Sequence, residues 1–176
     1  MNMFRLGVAI AIGIASFPCA WGDDGPPVTA DMLDRGVGLA TKKKYPEAIK
    51  VFDEIIKISP QSDHAYYALC NRGDAYCMQG LYDKAQKDLD RAVAQSPDKE
   101  SAYMHRATVD RKTGHDKQAA ADLSKALAIM QKAGTKRCSN EMLSGLFEER
   151  AEVYKALGEK SLQQKDLETA AALKKQ

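Results

Sequence analysis

Three stretches of this chain are echoes of one another. Leu69-Cys70-Asn71-Arg72-Gly73-Asp74-Ala75-Tyr76 returns as Tyr103-Met104-His105-Arg106-Ala107 and again as Phe147-Glu148-Glu149-Arg150-Ala151-Glu152-Val153-Tyr154. Each echo also continues alike, through Gly80-Leu81-Tyr82-Asp83-Lys84-Ala85, Gly114-His115-Asp116-Lys117-Gln118-Ala119 and Gly158-Glu159-Lys160. Upstream, Arg35-Gly36 and Tyr45-Pro46-Glu47-Ala48 fit the same frame. An ordinary helical bundle predicts amphipathic helices, but not unlike residues recurring at a common spacing. Such recurrence belongs to stacked units that bury a continuous core only through their neighbours.

The recurring types say what each unit is. Small residues such as Gly73, Ala85 and Ala92 mark places where two helices approach closely enough to exclude a larger side chain, and the large residues between them fill the gaps. Pro60 and Pro97 cannot continue a helix and mark the exit from a hairpin, whereas Pro46 suits a first turn, where its missing N–H loses nothing. Gly80 and Gly114 follow the first helices as left-handed stops.

Laid out at a period of about 34 residues, the chain resembles the tetratricopeptide repeat family. The first repeat is 29–62, with Gly36, Leu39, Tyr45, Ala48, Phe52 and Pro60 at the signature positions. The second is 66–99, with Gly73, Tyr76, Gly80, Tyr82, Ala85, Leu89, Ala92 and Pro97. The third, 100–133, keeps Ala107, Gly114, Ala119, Leu123 and Ala126, but has Asp110 at the aromatic place and Gln131 at the closing proline. The fourth, 144–176, keeps Ala151, Tyr154, Gly158, Leu167 and Ala170, while Gln163 replaces the packing alanine. The resemblance implies an all-α superhelix of about four helical hairpins over 29–176. Its last helix, rich in Gln163, Gln164, Lys165 and Lys174, would be the polar cap a solenoid end requires. Two insertions, Asp63-His64-Ala65 and Gly134 to Leu143, break the period. Gly134 reads as a helix stop and Ser139-Asn140 as a fresh start, which predicts a lengthened first helix in the fourth hairpin.

The N-terminus has a different character. A short basic head ending at Arg5 precedes the apolar run Leu6 to Ala15, which reaches only about Phe17, short of the roughly 20 residues a bilayer-spanning helix needs. Ala20 and Gly22 suit a cleavage after Gly22. This predicts a signal peptide over 1–22, an extended lead-in over 23–28, and an exported, periplasmic protein without a stable membrane span. A lipid anchor on Cys19 is the weaker alternative, because Phe17-Pro18 is unlike the small-residue box of bacterial lipoproteins. Removal of 1–22 takes away Arg5 and leaves 25 basic against 24 acidic residues, a balance that argues for no nucleic-acid partner.

Few residues invite catalysis. His64, His105 and His115 fall in different repeat elements with no nucleophile or metal spacing, and His64 and His115 are expected at turns. Cys70 and Cys77, seven apart on one helix, lie about 10 Å apart along the axis, too far for a disulfide. Cys138 would be left to pair with one of them, or all three are free thiols, buried or lining a groove. Arg72, Arg106 and Arg150 recur at one place and Asp88, Asp122 and Asp166 at another, which predicts a repeated scaffold ion pair. No cofactor or metal is implied.

In tetratricopeptide proteins the first helix of each hairpin lines a concave face that holds segments of partner proteins. By that resemblance the lining residues are Leu33, Val37 and Thr41; Tyr67, Cys70, Asp74, Cys77 and Met78; Ser101, Met104, Thr108, Arg111 and Lys112; and Glu148, Glu152 and Lys155. This surface is apolar at one end and charged at the other. Arg111 and Lys112 would be flanked by Asp74 and Glu152. Chaperone-tail-binding members use Lys and Asn to grip a terminal carboxylate, but Leu33 and Val37 stand at the corresponding first-repeat places and disfavour that ligand. The expected function is a non-enzymatic scaffold or adaptor for a protein or peptide partner in the cell envelope, with an accessory or regulatory subunit of an exported enzyme complex as the alternative.

Overall fold

A computed structural model describes residues 30–134 and 138–175. The signal peptide and lead-in expected over 1–28 lie outside the described residues. Among the described residues eight helices follow in order: α1 (Ala30–Thr41), α2 (Tyr45–Ile58), α3 (Asp63–Met78), α4 (Tyr82–Gln95), α5 (Glu100–Lys112), α6 (Asp116–Ala133), α7 (Asn140–Leu157) and α8 (Lys160–Leu173). They pair as four hairpins, and the second helix of each packs on the first helix of the next. The all-α superhelix of four hairpins is therefore present.

Close helix approach is set by the small residues. A Cβ on Gly73 would sit 2.9 Å from Leu89 Cγ across the second hairpin, and one on Gly36 would meet Phe52 Cε1 at 2.5 Å. Ala48, Ala85, Ala92, Ala107, Ala119, Ala126 and Ala151 are all fully buried. Large side chains fill what lies between. One core gathers Phe52, Ile55, Tyr66, Leu69 and Cys70, a second Cys77, Leu89 and Val109, and a third Leu123, Leu127, Met130, Cys138, Leu146 and Phe147. Burial of each of the larger ones is worth about 1.5–3 kcal/mol. The last helix differs, since α8 buries only Asp166 and Ala170.

Every hairpin tip closes in one way. The residue after the tip donates its N–H back to the carbonyl five positions earlier: Lys44 to Leu39, Leu81 to Tyr76, His115 to Asp110 and Glu159 to Tyr154. This arrangement needs a left-handed residue just before it. Gly80, Gly114 and Gly158 supply it with φ of 74°, 79° and 76°, while the first hairpin uses Lys43 at 58°.

The first insertion is absorbed as helix, and of the second Asn140–Leu143 joins α7. Asp63-His64-Ala65 forms the first turn of α3, where Ser62 Oγ accepts the N–H of Ala65 at 3.1 Å. His64 is thus helical and not at a turn, because the Ser62 cap recruits it; His115, just before α6, does stand between helices. Before the fourth hairpin, α6 stops at Gly134 and Ser139 caps α7, accepting from Met142 N at 3.2 Å. Both α6 and α7 reach 18 residues.

The recurring ion pair is present in each of the last three hairpins. Nε and Nη2 of Arg72 donate to Asp88 at 2.7 and 2.6 Å, those of Arg106 to Asp122 at 2.7 and 2.9 Å, and those of Arg150 to Asp166 at 2.7 Å each. The remaining nitrogen crosses to the preceding hairpin, from Arg72 to Asp53, from Arg106 to Asp90 at 2.7 Å, and from Arg150 to the Ser124 hydroxyl at 2.8 Å. Burial opposes the charge on Arg72, but its hydrogen bonds to Asp88 and Asp53 outweigh it and hold the guanidinium above its ordinary pKa. Asp110, which takes the aromatic place in the third repeat, has its carboxyl pushed up by burial and then by Asp122.

Candidate peptide-binding groove

The first helices of the hairpins, α1, α3, α5 and α7, line one face. The close packing of α1 with α3 and of α3 with α5 is not carried on to α7 among the described residues. A cavity of about 570 Å³ opens there, lined by Thr108, Arg111 and Lys112 of α5, Asp116 of α6, and Glu152 and Ala156 of α7. Four expected groove residues, Thr108, Arg111, Lys112 and Glu152, thus meet around one space.

The other expected residues divide. Tyr67 and Met78 are exposed, at 38% and 52%, and Asp74, Ser101 and Met104 are half-buried. Val37 is exposed, while Leu33 packs against the first core. Cys70 and Cys77, only 1% and 3% exposed, belong to cores and offer a ligand nothing, because α5 closes over that side of α3. Burial pushes the Cys70 thiol up to about 12 and raises that of Cys77. Both are free, as is Cys138, and the three sit in separate cores, so neither pairing with Cys138 forms. Glu148 is half-buried and held by Lys174 of the α8 end at 2.5 Å, which removes it from the groove.

Electrostatic pairing in the groove also differs from the expected flanking by Asp74 and Glu152. Arg111 reaches Glu149 at 3.5 Å, Glu152 meets Lys155 at 3.5 Å, and Asp74 faces His105 Nδ1 at 3.9 Å. Lys112, exposed, has no ion pair among the described residues. His105 is held below its ordinary pKa chiefly by burial, with Asp74 opposing. Glu149, Asp116, Ala156 and His105 were not among the expected groove residues. Glu149 and His105 each directly follow a selected residue, and both occupy the place just before the recurring arginine. Among the described residues no three His, Cys, Asp or Glu side chains cluster as a metal-holding group.

Residues 39–108 match the tetratricopeptide repeat family, from the end of α1 into α5. The fold is a tetratricopeptide-repeat solenoid. Among solved structures, BtubC from P. vanneervenii superposes with a TM-score of 0.75 at 17% identity, covering 81% of this chain and 61% of that one. MamA from Desulfovibrio magneticus gives 0.66 at 17% identity, over 82% and 74%. The first TPR of Spaghetti, bound to an HSP90 peptide, gives 0.62 at 20% identity, over 78% and 99%. At these identities the likeness is one of fold. By sequence the chain is 27% identical to Hsp70-Hsp90 organizing protein 3 of Arabidopsis thaliana over 84 residues, which are 48% of this chain and 14% of that protein. It is 30% identical to Superkiller protein 3 of Schizosaccharomyces pombe over 123 residues, 70% of this chain and 8% of the other. This chain thus spans a small part of either relative's length.

Proposed function

We propose that this protein is a non-enzymatic scaffold that holds a segment of a partner protein along the face formed by α3, α5 and α7, and that it does so in the cell envelope. The observation that carries the reading is the cavity of about 570 Å³ between α5 and α7, where Lys112 stands exposed and, among the described residues, without an ion pair. Beside it, the 3.5 Å contact of Arg111 with Glu149 joins two partly exposed groups, and such pairs contribute little. Both cations are available to an acidic segment, while Met78, 52% exposed one hairpin away, offers it an adaptable apolar contact. The peptide held by the Spaghetti domain supports segment binding as the mode, although Leu33 and Val37 argue against a carboxylate clamp here. The envelope address rests on the head-plus-apolar pattern of 1–22.

Envelope extract is passed over immobilised wild-type protein, over Arg111→Glu/Lys112→Glu, and over Lys50→Glu/Lys57→Glu, the last altering exposed lysines of α2. A protein retained by the wild type and the α2 control, lost from the groove variant, and released by raised salt is the expected result. Equal retention by all three, with unchanged circular dichroism, removes the groove from the function. N-terminal sequencing of the native protein tests the address, and recovery of Met1-bearing protein from the cytosol overturns it.

A further inference from the structure

The four hairpin tips lie along one edge of the solenoid, since successive helices run antiparallel. Their chemistry is unequal. At the place where three tips use left-handed glycine, the first uses Lys43 at φ 58°, a conformation that L side chains resist. Lys43 is also the middle of Lys42-Lys43-Lys44, all exposed and none in an ion pair among the described residues. One cation near the end of α1 is enough to complement a helix dipole; three in succession, one of them in a strained conformation, exceed what the helix requires. The neighbouring tip, on the helix that packs against α1 and α2, presents Leu81 at 41% exposure. Three exposed basic side chains on one tip and an exposed leucine on the next fit an extended, diffuse anionic plane with an apolar layer beneath it. An acidic peptide would leave Leu81 in water.

We propose that this edge, through Lys42, Lys43, Lys44 and Leu81, docks on the surface of an anionic lipid bilayer. The lysines meet the headgroups and Leu81 enters the boundary between headgroups and acyl chains. Docking by the tips leaves the face of α3, α5 and α7 turned to the side and free for a partner, so the inference stands apart from the scaffold reading.

The test is co-sedimentation of the full chain with vesicles of phosphatidylglycerol and phosphatidylcholine in equal parts, and with phosphatidylcholine alone. All variants carry the same residues 1–22, so partition of that apolar stretch is common to them. The wild type is expected to bind the anionic vesicles, less as salt rises. Lys42→Glu/Lys44→Glu should weaken this by about tenfold or more, and Lys50→Glu/Lys57→Glu, with the same charge change, by much less. Leu81→Ser should weaken binding while keeping its salt dependence. Lys43→Gly separates docking from folding: it should raise the thermal midpoint by relieving the backbone and yet lower vesicle binding. Binding that ignores lipid charge, an equal loss in the α2 control, or capture by soluble polyglutamate in place of vesicles overturns the proposal.

Discussion

Between α3 and α5 the concave face is closed, whereas between α5 and α7 it is open. The same repeat place shows the contrast: Cys77 of α3 is 3% exposed inside a core, while Arg111 of α5, its counterpart one repeat on, stands at the surface and lines a cavity. The cause is the longer α6–α7 connection and the 18-residue helices on either side of it, which move α7 away from the packing that α5 makes with α3. A repeat place is therefore not intrinsically core or ligand surface; the approach of the next helix decides.

The largest way to break this comparison is through the arginines. Arg72→Ala leaves both Asp88 and Asp53 without their partner, whereas Arg150→Ala leaves only Asp166 and a hydroxyl. Removal of one member of a mostly buried pair should cost about 2–4 kcal/mol for Arg72, and less for Arg150. Urea melts of the two variants compare the regions, and equal losses would mean that the crossing carboxylate contributes nothing. Next comes Ala85→Leu, expected to destabilise by about 1–3 kcal/mol because Ala85 is fully buried where two helices meet. Lys84→Leu, at an exposed lysine whose Nζ stands 5.5 Å from the centre of the Tyr76 ring, should change stability by a few tenths. Equal melts for the pair would upset the register of the second hairpin.

Glycines sharpen the contrast. Gly73→Ala should destabilise, since its methyl would lie 2.9 Å from Leu89 Cγ, while Gly145→Ala in α7 meets nothing and should gain about 0.5–1 kcal/mol of helix propensity. Thermal midpoints moving in opposite directions are the expected reading. The smallest effect concerns acid. His105, on the closed side, has its folded pKa below the ordinary 6.5, so the unfolded chain binds the proton more tightly. Stability is full above that value and declines as pH falls through it toward the folded pKa. His105→Gln should flatten the decline in melts taken across that range, and an unchanged slope would place its origin elsewhere.

Much of the architecture was legible because small residues, prolines and tip glycines report local geometry directly. Gly73, Pro46 and Gly80 each act as read, and the pairing of Arg72 with Asp88 follows from a spacing that never varies. What stayed hidden crosses a repeat boundary. The partners of the arginines on the preceding hairpin lie 19, 16 and 26 positions back, an irregular series, because the two insertions fall between them. The groove was legible by place alone, which could not tell that α5 would cover Cys70 and Cys77 or that Lys174 would hold Glu148. Nor did it distinguish Glu149, which pairs with Arg111, from its neighbour.

Cys70, Cys77 and Cys138 each occupy a different core of the solenoid. In an array stabilised mainly between neighbours, local opening need not be global, and a buried thiol reacts only when its own surroundings part. The described chain therefore carries three internal clocks. Their alkylation rates, followed peptide by peptide, would record how often each stretch breathes, with no probe added from outside.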